Sequence, residues 1–392
     1  MNRTRLLFAI SAGLVGCAGL IGVPDLTFDG DNVTGADGSL SPEGSSATPT
    51  DASQLECKTD VAVDPNNCGR CGHSCAGGAC VGRACQPVVL ADFITRGRQI
   101  ALDADHVYFA AEGDGTVSRV KKDATQPAEV IRVNATYAFG VAVAGNTLYT
   151  TDRDGIYQCT LGADKASCGA STVKLGAEYI SRFVATSAGQ VVYTTQGDVL
   201  RLRSDDAGAI SLNGGNTQPY DVKIAGNFAY FTSFSRGLPR AHLDGGLFDG
   251  GGKTEDVGPS WTAIGEMHLA VDGDRVFWGF LDDDTKTGFV FSATHADPLS
   301  TRITYTTKGT YPIGITADAQ YVYWCDAGTF DAGSNGDGRL LACPRGGCGP
   351  EPLVLATGLR SGGAMAIDET AIYWMETNSY RAGGRLRKIA KP

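Results

Sequence analysis

Seven copies of one short pattern lie between Ile100 and Trp374, and no other feature constrains the fold of this chain as tightly. Each copy has an apolar residue, a small residue, another apolar residue, often Asp, then a polar turn and an aliphatic or aromatic pair. The copies are IALDADHVYF from Ile100, VAVAGNTLYT from Val141, ATSAGQVVYT from Ala185, VKIAGNFAYF from Val222, LAVDGDRVFW from Leu269, ITADAQYVYW from Ile315 and MAIDETAIYW from Met365. Alternation on both sides of a turn rich in Asp, Gly or Asn is the pattern of a β-hairpin. A hairpin recurring every ~40 to 45 residues, with little helix-forming sequence between, marks the blades of a propeller.

A third strand follows most copies after a Gly-marked turn, as in GTVSRV from Gly115, GIYQCT from Gly155 and GRLLAC from Gly338. Blade four has the variant GLPRAHL from Gly237, where Pro239 lacks an amide donor. Shorter fourth strands are expected at AEVIRV from Ala128, STVKLG from Ser171, TRITYT from Thr301 and EPLVLATG from Glu351. The seventh unit reaches Pro392 after three strands, which would leave an open sheet edge. QPVVLAD from Gln86 reads like EPLVLATG, so residues 87–91 are expected to supply the outer strand of blade seven. The expected fold class is thus all-β, a seven-bladed β-propeller closed by an N-terminal strand and preceded by a small disulfide-rich module. The 53 Gly of the chain suit its many tight turns.

Ahead of the propeller the composition changes three times. Arg3 and Arg5 precede an apolar run over residues 6–14 that is too short to span a bilayer, and then comes Leu14-Val15-Gly16-Cys17. This resembles the lipobox of bacterial lipoproteins, which implies cleavage before Cys17 and acylation of its thiol. Several acyl chains give lasting membrane attachment. Ala18 stands where, by resemblance to the common Gram-negative sorting rule, Asp would retain the protein in the inner membrane; the resemblance therefore implies the outer membrane. Residues 18–56 are rich in Gly, Ser, Asp, Thr and Pro and read as a flexible tether. The net charge of −10 falls to −12 once Arg3 and Arg5 are removed, which argues against a nucleic-acid partner and against direct adhesion to anionic lipid.

Cys57, Cys68, Cys71, Cys75, Cys80 and Cys85 crowd into residues 57–85, which hold almost no core-forming side chains. So short a segment needs covalent staples or a metal. Export to an oxidising space favours three disulfides over zinc, although Cys68 and Cys71 have a CxxC spacing with His73 nearby. The DPNNCGRCGHSC and GGACVGRAC segments resemble Cys-rich stretches that precede repeat domains in lipoproteins of environmental Gram-negative bacteria. That resemblance implies location and architecture. Within the propeller, residues 86–392, Cys159 with Cys168 and Cys343 with Cys348 hold matching places in blades two and six and are read as local disulfides. Cys325 is then left as a buried small hydrophobe, unless it pairs with Cys343 and frees Cys348.

YTTD from Tyr149, FWGF from Phe277, YWCD from Tyr323 and YWME from Tyr373 are similar to degenerate YWTD repeats, and the hairpins are similar to NHL-type units. Those resemblances imply a propeller used mainly for binding, with the aromatic residues serving first in blade packing. Blades five to seven have the longest second-to-third connections, which bring Asp282, Asp283, Asp284, Asp326, Asp331, Asp337 and Glu376 to one rim. Oxygen ligands suit Ca²⁺, but no segment fits a DxDxDG loop, so solvated turn aspartates are the plainer reading and no cofactor is expected beyond that ion. Loops entering the first strands add Tyr137, Phe139, Tyr179, Arg182, Tyr220, Asp221, Glu266, His268 and Tyr311. Aromatic planes beside charges around a central opening suit a protein, peptide or glycan. Glu266 and His268, two apart on one side of a strand, form the only candidate acid–base pair, and no GxSxG, HExxH, phosphate-loop or dinucleotide motif occurs. The reading is a monomeric, lipid-anchored binding or scaffold protein, with a propeller enzyme of lactonase, lyase or quinoprotein type as the alternative.

Overall fold

The computed structural model describes residues 59–161, 168, 172–176, 179–203, 208–215, 217–234, 237–258, 267–282, 287–306, 311–328, 336–376 and 383–392. Cys17, Cys57, Glu266, Asp283, Asp284 and Asp331 lie outside them. The described residues contain seven four-stranded antiparallel sheets, one two-stranded sheet and no helix. The protein is a seven-bladed β-propeller. Its innermost strands are Gly97–Leu102, Gly140–Ala144, Val184–Ser187, Pro219–Ala225, Leu269–Asp272, Pro312–Ala317 and Gly362–Ile367. Each packs beside the next, and the seventh packs beside the first.

Blade seven is composite. Gly362–Ile367, Ala371–Glu376 and Gly384–Ala390 come from the end of the chain, and Val88–Ile94 forms the outer strand. Val88 lies opposite Lys388 and Ile94 opposite Gly384, with a register shift on each side of Ala91. The strand starts one residue later than the sequence suggests and ends three later, because Leu90 and Ile94 both turn inward.

Blade three departs from the repeat by one residue. Val184 pairs with Tyr193, in the place where Val141 pairs with Thr150 in blade two, so the third copy begins at Val184 and not Ala185. The cause is turn chemistry. Both hairpins contain Ala-Gly, but Ala188 and Gly189 both take positive φ in blade three, whereas in blade two Ala144 is still in the strand and Gly145 has the positive φ.

Alternating apolar residues fill the spaces between adjacent blades. Trp324 lies between blades five and six with Phe277, Ile315 and Leu341, and Trp374 lies between six and seven with Leu340, Leu359 and Ile372; neither indole is exposed.

On the face carrying the hairpin turns, the Asp of the repeat has a definite task. Asp318 Oδ1 accepts hydrogen bonds from the amides of Gln320 and Tyr321, while Oδ2 accepts one from the Tyr323 hydroxyl. Asp368 does the same with Thr370, Ala371 and Tyr373, and Asp103 with Asp105, His106 and Tyr108. Three turn aspartates also reach a cation that follows the third strand of the next blade. Asp318 pairs with Lys391 at 3.0 Å, Asp368 with Lys122 at 2.8 Å, and Asp272 with Arg345. The blade 5/6, 6/7 and 7/1 seams are therefore latched. Ala144, Ser187 and Ala225 occupy the corresponding turn position in blades two, three and four.

In the Cys-rich module, Cys68 is bonded to Cys80 and Cys75 to Cys85, and Cys71 is also disulfide-bonded. The CxxC pair is thus split between different bridges. The module shares a hydrophobic cluster with blades six and seven. His73 fastens it further: Nδ1 lies 2.7 Å from the Cys68 carbonyl and Nε2 lies 2.8 Å from that of Lys391. Cys159–Cys168 and Cys343–Cys348 are the two propeller disulfides. Cys325 is a free buried thiol, which burial pushes well above its ordinary pKa.

Candidate functional site

The two residues before each inner hairpin define one end of the propeller axis. Around the ring these are Arg98-Gln99, Phe139-Gly140, Arg182-Phe183, Tyr220-Asp221, Met267-His268, Ile313-Gly314 and Gly363-Ala364. Large and charged members fall in blades one to five.

Gln99 crosses between blades. Its Oε1 accepts from the amides of Val141 (3.0 Å) and Val184 (3.2 Å), and its Nε2 donates to the Val184 carbonyl at 2.8 Å. Gly140 makes room for it, since a Cβ there would lie 3.0 Å from Gln99 Oε1. Arg98 reaches further, with Nη1 3.3 Å from the Tyr220 hydroxyl of blade four. Its Nε donates to Glu112 at 2.5 Å, and Arg96 meets the other oxygen of that buried carboxylate at 2.8 Å. Side chains from blade one thus occupy the axis at this level.

Beside them is an aromatic floor. The Phe183 ring lies 4.6 Å from that of Tyr220 and 5.4 Å from that of His268, and Tyr220 and His268 are 5.7 Å apart. Half-buried Arg98, Phe139, Arg182 and Phe234 surround this floor. Each guanidinium faces a ring, Arg98 with Phe139 and Arg182 with Phe234, both at 5.9 Å.

Strand-two threonines fix the floor. Thr151 donates its hydroxyl to the Arg182 carbonyl, Thr194 to that of Tyr220 at 2.8 Å, and Thr232 to that of Met267 at 2.9 Å. Every one of these bonds runs to the following blade.

Asp221 is fully buried and joins blades four and five. Oδ2 accepts from the Leu269 amide at 3.1 Å and lies 3.2 Å from His268 Nδ1; Oδ1 accepts from the Val222 amide at 2.8 Å and from Lys223 at 3.0 Å. Burial alone would raise this carboxyl, but the Lys223 charge and the His268 contact outweigh it and hold the pKa at about 2. A carboxylate on Nδ1 favours the tautomer with its proton there, which leaves Nε2 as the basic atom. That atom has no hydrogen-bond partner among the described residues.

Of the residues expected at this rim, Phe139, Arg182, Tyr220, Asp221 and His268 come together. Tyr137 lies apart, stacked on Phe139 at 6.5 Å and facing Arg153, which also covers Tyr179. Tyr311 offers its amide to Asp326 at 2.9 Å. Arg98, Gln99, Glu112, Phe183 and Phe234 were not anticipated. The signal was present: the residues preceding each copy align as a set, although the shift in blade three hides Phe183.

The acidic rim is spent differently from a cation site. Asp326 accepts from Tyr311 and Gly328 and pairs with Arg339 at 2.9 Å; Glu376 pairs with Arg387 at 2.8 Å. Asp337 lies against Gly328, and Asp282 ends the strand Arg275–Asp282. The one close group of His, Cys, Asp or Glu ligand atoms among the described residues is Cys68, Cys75 and Cys85, all in disulfides.

No family model matches the chain, and no curated protein matches it. Solved structures do. A streptogramin B lyase shares 10% identity with a TM-score of 0.54, covering 78% of this chain and 97% of that one. The WD40 propeller domain of Doa1 shares 14% identity with a TM-score of 0.55, covering 78% and 97%. A catalytically inactive virginiamycin B lyase from Staphylococcus aureus, with quinupristin, shares 12% identity with a TM-score of 0.54, covering 78% and 99%. These likenesses show the fold alone.

Proposed function

We propose that the protein is a lipid-anchored extracytoplasmic binding protein that captures a protein, peptide or glycan partner over the Arg98–Tyr220 end of its axis. The observation that carries this reading is the pairing of two arginines with half-buried rings around a fixed aromatic floor. Aromatic residues and Arg dominate binding hot spots, because they bury much area and hydrogen-bond with little loss of freedom. The Thr bonds to the next blade hold the floor before any partner arrives, which lowers the ordering cost of binding. In this reading acylated Cys17 holds the protein at the outer membrane, and residues 18–56 let the propeller reach its partner.

The test is retention of ligands on peptide and glycan arrays. Wild type is expected to retain a ligand that the Arg182→Ala and Phe234→Ala variants, with unchanged melting temperatures, bind at least tenfold more weakly. Equal retention by wild type and both variants rejects the site. Labelling with radioactive palmitate, lost in Cys17→Ser, tests the anchor.

The Asp221–His268 contact supports a second reading, in which Nε2 moves a proton on a ligand held at the same floor. Two of the three solved neighbours described above are lyases, which is compatible with chemistry on this fold. Turnover of an array ligand that ceases in His268→Gln while its binding persists would decide for catalysis.

A further inference from the structure

Outward from the axial floor, rings and guanidiniums continue as a line toward the rim of blades two and three. Arg98 faces Phe139 at 5.9 Å, and Phe139 stacks on Tyr137 at 6.5 Å. Tyr137 in turn faces Arg153 at 6.0 Å, and Arg153 lies 5.0 Å from the centre of the Tyr179 ring and donates to its hydroxyl. The inner end of the line is half-buried, whereas Tyr137 is 44% and Tyr179 59% exposed. Among the described residues Phe93 is the only other exposed aromatic side chain.

The backbone under this line is strained and tied down. Tyr137 and Ile180 take φ of 60° and 58°, in the left-handed region that such side chains rarely enter. Arg153 links their two turns: its amide donates to the Thr136 carbonyl and its carbonyl accepts from the Ile180 amide, both at 2.8 Å. Backbone of this kind persists where its surroundings over-determine it, and it gathers at ligand sites. Its result here is that two exposed tyrosines are held beside one arginine before any ligand arrives, which lowers the ordering cost of binding.

We propose that this line is the path of a neutral linear oligosaccharide, running from the exposed tyrosines to the axial floor; the inference rests on the binding reading above and names the class of partner. The Phe139, Arg153 and Ile180 amides are already bonded within the protein, so the line offers no strand-like pairing to a peptide main chain. Arg98 already meets the Glu112 carboxylate, and exposed Asp154 adjoins Arg153 in the chain, so an acidic ligand finds its charge opposed. What the line does offer is flat ring surface alternating with hydroxyl and guanidinium groups, which suits sugar rings that present C–H faces and a hydroxyl edge.

Calorimetric titration of the full chain tests it, with cellohexaose, xylohexaose, mannohexaose and hexa-N-acetylchitohexaose as probes and their disaccharides and hexagalacturonate as comparisons. At least one neutral hexasaccharide is expected to bind saturably, at least tenfold tighter than its disaccharide and than hexagalacturonate. Tyr137→Ala and Tyr179→Ala should each weaken it at least tenfold, and Leu299→Ala, at an exposed position of blade five, should leave it unchanged. No binding of any neutral hexasaccharide, equal binding of a disaccharide or of hexagalacturonate, or binding that survives both tyrosine variants each overturns the proposal. If a peptide is instead retained through Arg182 and Phe234 and is indifferent to both tyrosines, the axial site stands and the oligosaccharide path falls; if Arg182→Ala and Phe234→Ala are also without effect, the axial site falls as well. If Tyr137→Ala does not fold, Tyr179→Ala and Arg153→Gln decide.

Discussion

The blade 7/1 and blade 2/3 seams are built from the same repeat and close differently. At the first, Asp368 ties its own turn, holds the Tyr373 hydroxyl and reaches Lys122 of the adjacent blade. At the second, Ala144 takes the turn position, and a cleft of roughly 550 Å³ remains. The apolar alternation that makes a blade is common to both. A turn carboxylate, with a cation placed after the next third strand, ties blades seven and one, and Ala144 provides no such tie between blades two and three. Structural repetition therefore leaves room for local differences between seams.

Several changes would break or sharpen this contrast. The largest effect should come from removing what all blades share: Trp324→Ala is expected to cost about 3 to 5 kcal/mol in denaturant unfolding, because it empties a close-packed site between blades five and six. Next, Asp368→Asn should cost about 2 kcal/mol, since it weakens two turn bonds, a Tyr hydroxyl bond and a partly buried ion pair together, whereas Ala144→Ser should stay within about 0.5 kcal/mol. A similar cost for the two substitutions would remove the distinction between seams.

Acid should separate the seams without mutation. Burial raises the Asp318 and Asp368 carboxyls, but the turn amides and the partner lysines outweigh it and hold both below the ordinary carboxylate range. A carboxyl with a lowered folded pKa contributes stability that is complete above its unfolded value of about 4 and is lost as the pH falls through the folded value. Amide exchange at low pH should accordingly rise in the blade 6/7 and 7/1 turns, with less change at blade 2/3. The smallest effect is a gain: Ala144→Asp should cap the Asn146 and Thr147 amides as Asp103 does in blade one, raising stability by about 0.5 kcal/mol in thermal unfolding.

The blades were legible because period-two burial leaves its mark on every strand, and His268, Asp221, Tyr220 and Arg182 were legible because they precede recognisable copies. What the sequence concealed was reach. Gln99 and Arg98 act on blades two, three and four, and a linear pattern records which residue enters a strand without recording how far its side chain crosses the axis. Phe183 was hidden by a turn in which Ala188 takes the left-handed conformation that the repeat assigns to Gly. The Asp–cation latches were half visible: the recurring Asp is plain in the copies, but its partner comes from the next blade and is Lys in two cases and Arg in the third.

The pairing of Val88–Ile94 with Gly384–Ala390 has a consequence for biogenesis. Val88–Ile94 is made before the strands of every complete blade and must wait for Gly384–Ala390, which is made after them, so blades one to six can form while the circle is still broken. Until that meeting, Gly384–Ala390 presents bare backbone amides and carbonyls along one side, an invitation to mispairing between nascent copies. His73 binds the Lys391 carbonyl beside this junction, so the cystine-bonded module acts as a clasp on the final act of assembly.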